Sequence, residues 1–191
     1  ALVPGSTRSG SLNRRLASDL AERLRRAGVD ADVVDLGDHP LPIYHGDHEA
    51  EHGAPAEAER LHDVLAAMDG VIFVSPEYNG GLPALLKNAI DWVSRVDRSV
   101  FKRWLVGLAA TSPGGRGARD VLVAMRHIAD HMRLEVFPVE LSVPNGHEAL
   151  GHADPDRLAD PESVAAAEAF VAGYVEALAD WVASGRDLAA A

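Results

Sequence analysis

The chain has 191 residues, 18 Lys+Arg against 29 Asp+Glu, no cysteine and a formal net charge of -11. That length suits one α/β domain spanning residues 1–191, and 47% hydrophobic with 5% aromatic content is the composition of a chain with a buried core. Zero cysteines exclude disulfides, thiolate metal sites and cysteine catalysis, while the acid excess argues against nucleic acid or an anionic membrane as partner.

In chain order, Ala1-Leu2-Val3 reads as the tail of a buried strand, so the natural chain is expected to begin several residues earlier. Ser11 is placed to cap a helix in which Leu12, Leu16, Leu20 and Leu24 form one stripe, and Gly28 is placed to stop it. Ala31 to Leu36 reads as a short strand, and Gly37 to Pro55 as a loop bearing proline and histidine. A helix follows from Ala56 to Met68. Val71 to Val74 is a continuous apolar run, the mark of a central parallel strand covered on both faces. A helix is expected from near Leu82 through Val93, a strand over Leu105 to Thr111, a helix over Ala118 to Met132 and a strand over Glu135 to Leu141. Gly146 to Pro161 reads as a polar loop before a final helix within residues 162–184.

Five strands alternating with helices imply a doubly wound parallel sheet with helices on both faces, and the economical strand order is 2-1-3-4-5. No apolar run approaches the roughly 20 residues that span a bilayer, and nothing resembles a signal peptide; with the absent cysteines this points to a cytoplasmic protein without a membrane partner.

In such a sheet, ligands bind beyond the carboxyl ends of the strands where the order reverses. The loops leaving the first, third and fourth predicted strands there are the least ordinary segments of the chain: Gly5 to Asn13, Pro76 to Pro83, and Thr111 to Gly117. The first offers hydroxyls, the amide of Asn13 and the guanidinium of Arg8 at a helix start, which suits a single terminal phosphate; a Ser/Gly-rich turn with a helix cap accounts for the same residues. G-x-x-x-x-G-K-[ST] and G-x-G-x-x-G are both missing, which weakens ATP and dinucleotide readings. In the second loop Tyr78 suits stacking on a flat ring and Asn79 suits hydrogen bonding to its polar edge, while Glu77 either pairs with Lys87 or is solvated. The glycine-rich third loop suits a ring edge, with Ser112 as an added donor, or simply a tight turn before a helix.

These residues resemble the NADPH-dependent FMN reductase family of flavodoxin-like proteins. Its opening pattern, G-S-x-R-x-x-S-x-N, is met by Gly5, Ser6, Arg8, Ser11 and Asn13; its second, P-E-Y-N-G-x-x-P-x-x-L-K-N-A-I-D-W, runs from Pro76 through Trp92; a T-S-P-G-G-like segment stands at Thr111 to Gly115. The likeness extends to about Asn145. It implies a flavodoxin-like fold and an FMN cofactor, with the phosphate at Ser6, Arg8, Ser11 and Asn13. It implies the isoalloxazine ring near Pro76, Glu77, Tyr78, Asn79 and Gly80, with Ser112, Gly114 and Gly115 contributing from the third loop. NADPH or NADH is then the electron donor, and a flavin, quinone, azo compound or metal oxyanion the small-molecule acceptor, in ping-pong exchange. The cofactor carries that chemistry, so no catalytic side chain is named. The resemblance also implies a homodimer or homotetramer, with the Leu82 to Trp92 helix in the contact. Two departures stand out: Pro4 precedes the glycine where small residues are more usual, and Arg103-Trp104 stands where Lys-Pro is common. A flavodoxin-type electron carrier or a non-catalytic flavin-binding protein is the alternative. The presence of Arg8 and Asn13, with Tyr78 as the one evident aromatic, favours the reductase.

No metal site is expected. His45, His48 and His52 fit no strong ligand spacing, and His127 and His131 lack the glutamate of H-E-x-x-H. The charge is uneven: residues 1–26 carry a net +4 and 71–146 a net +2, against -10 over 27–70 and -7 over 147–191. The loops expected to hold the anionic cofactor all lie in the two positive segments, the direction that electrostatic steering requires.

Overall fold

The computed structural model describes residues 1–151 and 156–185. Four parallel strands, β1 (Leu2–Pro4), β2 (Gly70–Ser75), β3 (Leu105–Thr111) and β4 (Glu135–Val143), form one sheet in the order β1-β2-β3-β4. The helices are α1 (Leu12–Arg26), α2 (Gly46–His52), α3 (Ala56–Ala66), α4 (Ala84–Val96), α5 (Arg119–Met132), α6 (Gly146–Ala149) and α7 (Pro161–Ala183). The leucine stripe of α1 lies on the core side, since Leu12, Leu16, Leu20 and Leu24 are all buried. With α7 it covers one face of the sheet, and α3, α4 and α5 cover the other. Val71 to Val74 and all of β3 are buried, as continuous apolar runs at the centre of a covered sheet must be.

The segment expected as the second strand supplies one bridge, not a strand. Leu2 donates to Asp32 O at 2.7 Å and accepts from Val34 N at 2.9 Å, on the side of β1 away from β2. The next rung of a parallel ladder would need an N–H at position 4, and Pro4 has none. A proline two residues beyond the bridge therefore ends the pairing, and the sheet has four strands where five were expected. Proline acts likewise in β4, where the register against β3 shifts between Val106 and Leu108 opposite the Phe137-Pro138-Val139 stretch of this edge strand.

Two expected loops contain helix. Gly37 to Pro55 holds a short 3-10 turn (Leu36–Asp38) and α2, and Gly146 to Pro161 opens with α6, although residues 152–155 of that stretch lie outside the described part. The first excursion is pinned to α4: Pro42 O accepts from Trp92 Nε1 at 2.7 Å and from Asn88 Nδ2 at 2.9 Å, and Tyr44 meets Trp92 edge-on at 5.2 Å. The helix expected from near Leu82 begins at Ala84, after Pro83.

Trp104, which the sequence leaves without a role, is a core residue. It is fully buried, packs edge-to-face on Phe101 at 5.0 Å and donates from Nε1 to Leu65 O at 3.0 Å, tying the end of α3 to the entry of β3. Trp104→Phe keeps most of the apolar area but removes the indole bond to Leu65 O, which still accepts from Met68 N at 3.1 Å, so the cost is that of one hydrogen bond, about 0.5–1.5 kcal/mol. A lowered midpoint in urea with an unchanged slope is the expected outcome.

Candidate functional site

Parallel strands joined by helices send their outgoing loops to the carboxyl edge, and the contacts there bring all three sequence-marked loops together. Gly5, one residue past β1, lies against the second loop. A Cβ there would stand 3.2 Å from Pro83 Cγ and 3.3 Å from both Pro76 Cδ and Leu86 Cδ2, tighter than ordinary packing, so a side chain would push the two loops apart. Asn13 joins the first loop to the third: its side-chain oxygen accepts from Thr111 N at 3.0 Å and its amide nitrogen donates to Thr111 O at 2.9 Å. Glu77 joins the second loop to the third, its Oε2 accepting from Asp120 N at 3.0 Å and Val121 N at 3.3 Å at the start of α5. Each pair of loops is thus in direct contact.

The first loop is folded around its own hydroxyls. Ser6 is buried, and its Oγ accepts from Arg8 N at 3.3 Å; Ser11 caps α1, accepting from Arg14 N at 3.5 Å. Both hydroxyls keep a hydrogen to donate. The amides of Leu12 and Asn13 open α1, whose first turn carries no acidic residue, so its positive dipole end is uncompensated. Of the six arginines in residues 1–26, five are engaged: Arg14 with Asp35 at 2.7 Å, Arg15 with Gly151 O, Arg23 with Asp19, Arg25 with Asp32 and Arg26 with Glu22. Arg8 alone has no ion pair or hydrogen bond from its guanidinium among the described residues, and it is exposed. Asp35 was not anticipated beside this loop. The 3-10 turn after it brings Gly37 against the methyl of Thr7, a neighbourhood that no sequence period announces.

The second loop is a tight hairpin. Tyr78 and Gly81 exchange N–H···O bonds at 3.1 and 3.0 Å around Asn79 and Gly80, both with positive φ (53° and 76°), the signature of an Asn-Gly turn. The turn presents Tyr78 outward, 53% exposed, beside the half-buried Pro76 and Glu77. Lys87 does not meet Glu77; it pairs with Asp91 at 2.6 Å. In the third loop Gly114 and Gly115 are exposed, and a Cβ at Gly114 would meet nothing within 4 Å. Ser112 Oγ donates to Gly114 O at 3.3 Å, and the backbone is held from behind by Asn145 N to Gly114 O at 3.1 Å and Gly146 N to Ser112 O at 2.8 Å. That support from Asn145-Gly146 was not foreseen, since the dipeptide signals only a turn.

The histidine clusters lie elsewhere. His48 and His52 stack on α2 at 4.7 Å, and His127 and His131 are exposed on α5 beside a cleft of about 330 Å³ shared with Lys87, Asp91, Arg95 and Arg98 of the α4 side. Among the described residues no group of three or more His, Cys, Asp or Glu side chains gathers as a metal-ligating cluster, and no helix is long and apolar enough to cross a membrane.

The family model described as NADPH-dependent FMN reductase matches residues 1–148. The chain belongs to that family. A quinone reductase of Pseudomonas putida strain KT2440 is 33% identical over 188 residues, covering 97% of this chain and 95% of that one. An NAD(P)H-dependent FMN reductase of Schizosaccharomyces pombe is 31% identical over 167 residues, covering 81% and 78%. Among solved structures, the flavoenzyme NAD(P)H:(acceptor) oxidoreductase FerB of Paracoccus denitrificans superposes with a TM-score of 0.75 at 28% identity, covering 96% of both chains. The chain is therefore an oxidoreductase with the flavodoxin-like α/β fold of this family, whose cofactor is FMN and whose donor is NAD(P)H.

The residues present fit that cofactor. A free guanidinium, two hydroxyl donors and a helix start whose first turn carries no acid suit a phosphate dianion, and a hairpin with an exposed tyrosine at the same edge as an open glycine loop suits a flat ring. A phosphate held by Arg8 would lose one charge-assisted contact in Arg8→Ala, worth about 1.5–3 kcal/mol, or roughly 10- to 150-fold in FMN affinity. Riboflavin, which lacks the phosphate, should bind the variant as it binds the parent; fluorescence titration with both flavins reads the difference.

Proposed function

We propose that the protein is an FMN-dependent NAD(P)H oxidoreductase that exchanges electrons by a ping-pong route, with a quinone as its foremost acceptor and flavins, azo compounds or metal oxyanions as others. The observation that carries this reading is the meeting at one sheet edge of an unpaired Arg8, the Tyr78 hairpin and the open Gly114-Gly115 loop. When bound, FMN supplies reversible two-electron chemistry, accepting hydride from the nicotinamide and giving electrons to the acceptor.

The chain's own groups then have distinct tasks. Arg8, Ser6, Ser11 and the first amides of α1 hold the phosphate and so fix where the ring lies. The Tyr78-Asn79-Gly80 turn and Gly114-Gly115 flank the ring, and their backbone N–H groups stabilise negative charge that develops at its polar edge. No side chain of the site is placed to hold or move a proton in an obligatory step. Donor and acceptor both use the same exposed face, which is why the exchange is ping-pong, the oxidised donor leaving before the acceptor binds. Two relatives favour a quinone: the Pseudomonas putida quinone reductase, and a 2-hydroxy-1,4-benzoquinone reductase of a Burkholderia species that is 36% identical over 129 residues. A homodimer or homotetramer with α4 in the contact, working in the cytoplasm, belongs to the same reading.

Steady-state oxidation of NADPH with a benzoquinone, FMN, an azo dye and chromate offered in turn tests the proposal. Turnover with the quinone and parallel double-reciprocal lines are expected. FMN binding without turnover on any acceptor would instead indicate an electron carrier or a flavin-binding protein.

A further inference from the structure

We infer that the side chains of Asn13 and Glu77 are positioning groups, not flavin ligands: from opposite sides they clasp the third loop, residues 111–117, onto the first two. The flavin arm of the test rests on the FMN reading above, whereas the clasp itself rests on hydrogen bonds in the chain alone.

The third loop has little means of holding its own shape. It contains Gly114, Gly115 and Gly117, and the helix it feeds starts without a side-chain cap, because Ala118 sits in the left-handed region (φ 57°) with no polar group to offer. The first amides of α5 would then be orphaned. Glu77, 43 residues upstream of Asp120, supplies what is missing: one carboxylate oxygen takes both Asp120 N and Val121 N, and a negative charge at this end of a helix is favoured by the dipole. One oxygen of its carboxylate is thereby committed to α5.

Asn13 acts at the other end of the loop, across 98 residues of sequence. Its carboxamide takes both the N–H and the C=O of Thr111, reproducing with a side chain the pair of bonds that a neighbouring strand would make. Asn13 and Thr111 are 3% and 1% exposed, so both bonds are made away from water, where leaving them unmade is costly. The side-chain oxygen and an N–H of Asn13 face Thr111. The hydroxyl of Thr111 continues the chain of bonds to Val143 O at 2.8 Å, so the loop is anchored to β4 as well. Asn13 and Glu77 thus make the phosphate-side and ring-side loops share one support.

The test has two arms. In flavin-free protein, amide hydrogen exchange over residues 111–121 should speed up at least tenfold in Asn13→Ala and in Glu77→Ala, each of which loses two hydrogen bonds to this segment, with α1 and β2 unchanged. Glu77→Gln keeps an acceptor oxygen and should restore most of the protection. Titration with FMN and with riboflavin forms the second arm. Asn13→Ala and Glu77→Ala should weaken both flavins by the same factor, leaving their ratio at the parent value, in contrast to Arg8→Ala. Unchanged exchange over 111–121 in both alanine variants would overturn the clasp. So would an Asn13→Ala variant that weakens FMN alone, since that is the behaviour of a phosphate ligand. Glu77 is only half-buried, so its variants still judge the inference if Asn13→Ala does not fold. A parent protein that binds neither flavin refutes the FMN reading, while the exchange arm continues to decide the clasp.

Discussion

Parallel pairing of β1, β2 and β3 sends their outgoing loops to one edge of the sheet, and the arrangement of the candidate site follows from that polarity. The strands themselves carry no chemistry: β2 and β3 are apolar and buried, so their contribution is to hold three loop origins side by side at fixed spacing. Proximity alone does not make a site, however, because loops of glycine, serine and proline have entropy to lose. Three local devices absorb that cost. The bare Cα of Gly5 lets the first loop touch Pro76 and Pro83, the carboxamide of Asn13 takes over the backbone of Thr111, and Glu77 completes α5.

Some of this was legible in the sequence. The central strands declare themselves as uninterrupted apolar runs, and α1 by leucines at every fourth position, because burial on two faces and burial of one stripe leave different periods. The convergence of the three loops follows from strand order and is met by contacts between every pair. Misreadings came where a single atom outweighs a pattern. Residues 31–36 look like a strand, but the missing N–H of Pro4 stops the ladder after one bridge. The Gly37 to Pro55 stretch looks like a loop by composition, yet Asn88 and Trp92 provide partners for Pro42 and a short helix packs there.

Site residues show the same division between what a motif encodes and what it leaves open. The pattern around Ser6, Arg8 and Ser11 specifies donors, and the structure leaves those donors free. The same pattern includes Asn13, and the next includes Glu77; residue type alone does not say whether a polar side chain faces a ligand or the protein. Both spend polar atoms on the chain itself, one across 98 residues and the other across 43, separations at which no local rule operates. Trp104 is a parallel case in the core, where an indole N–H reaches a helix-end carbonyl that its position in the sequence does not suggest.

The uneven charge acquires a narrower meaning once partners are assigned. The two segments that build the site are net positive by sequence, which by itself suggests long-range attraction of phosphate-bearing ligands. Part of the basic charge is paired at close range: Arg14 with Asp35, which lies outside the two segments, and Lys87 with Asp91 and Arg116 with Asp120, which the net figures already count, at 2.6–2.7 Å. Paired charges of this kind look dipolar beyond a Debye length of about 8 Å at physiological salt. Viewed from farther away, the chain is an acidic body of net charge -11 that repels anionic nucleotides. Favourable electrostatics at the site is therefore short-ranged and centred on the unpaired Arg8 with the acid-free first turn of α1. Such an arrangement discriminates at contact between a ligand that ends in phosphate and one that does not, and contributes little to drawing either in.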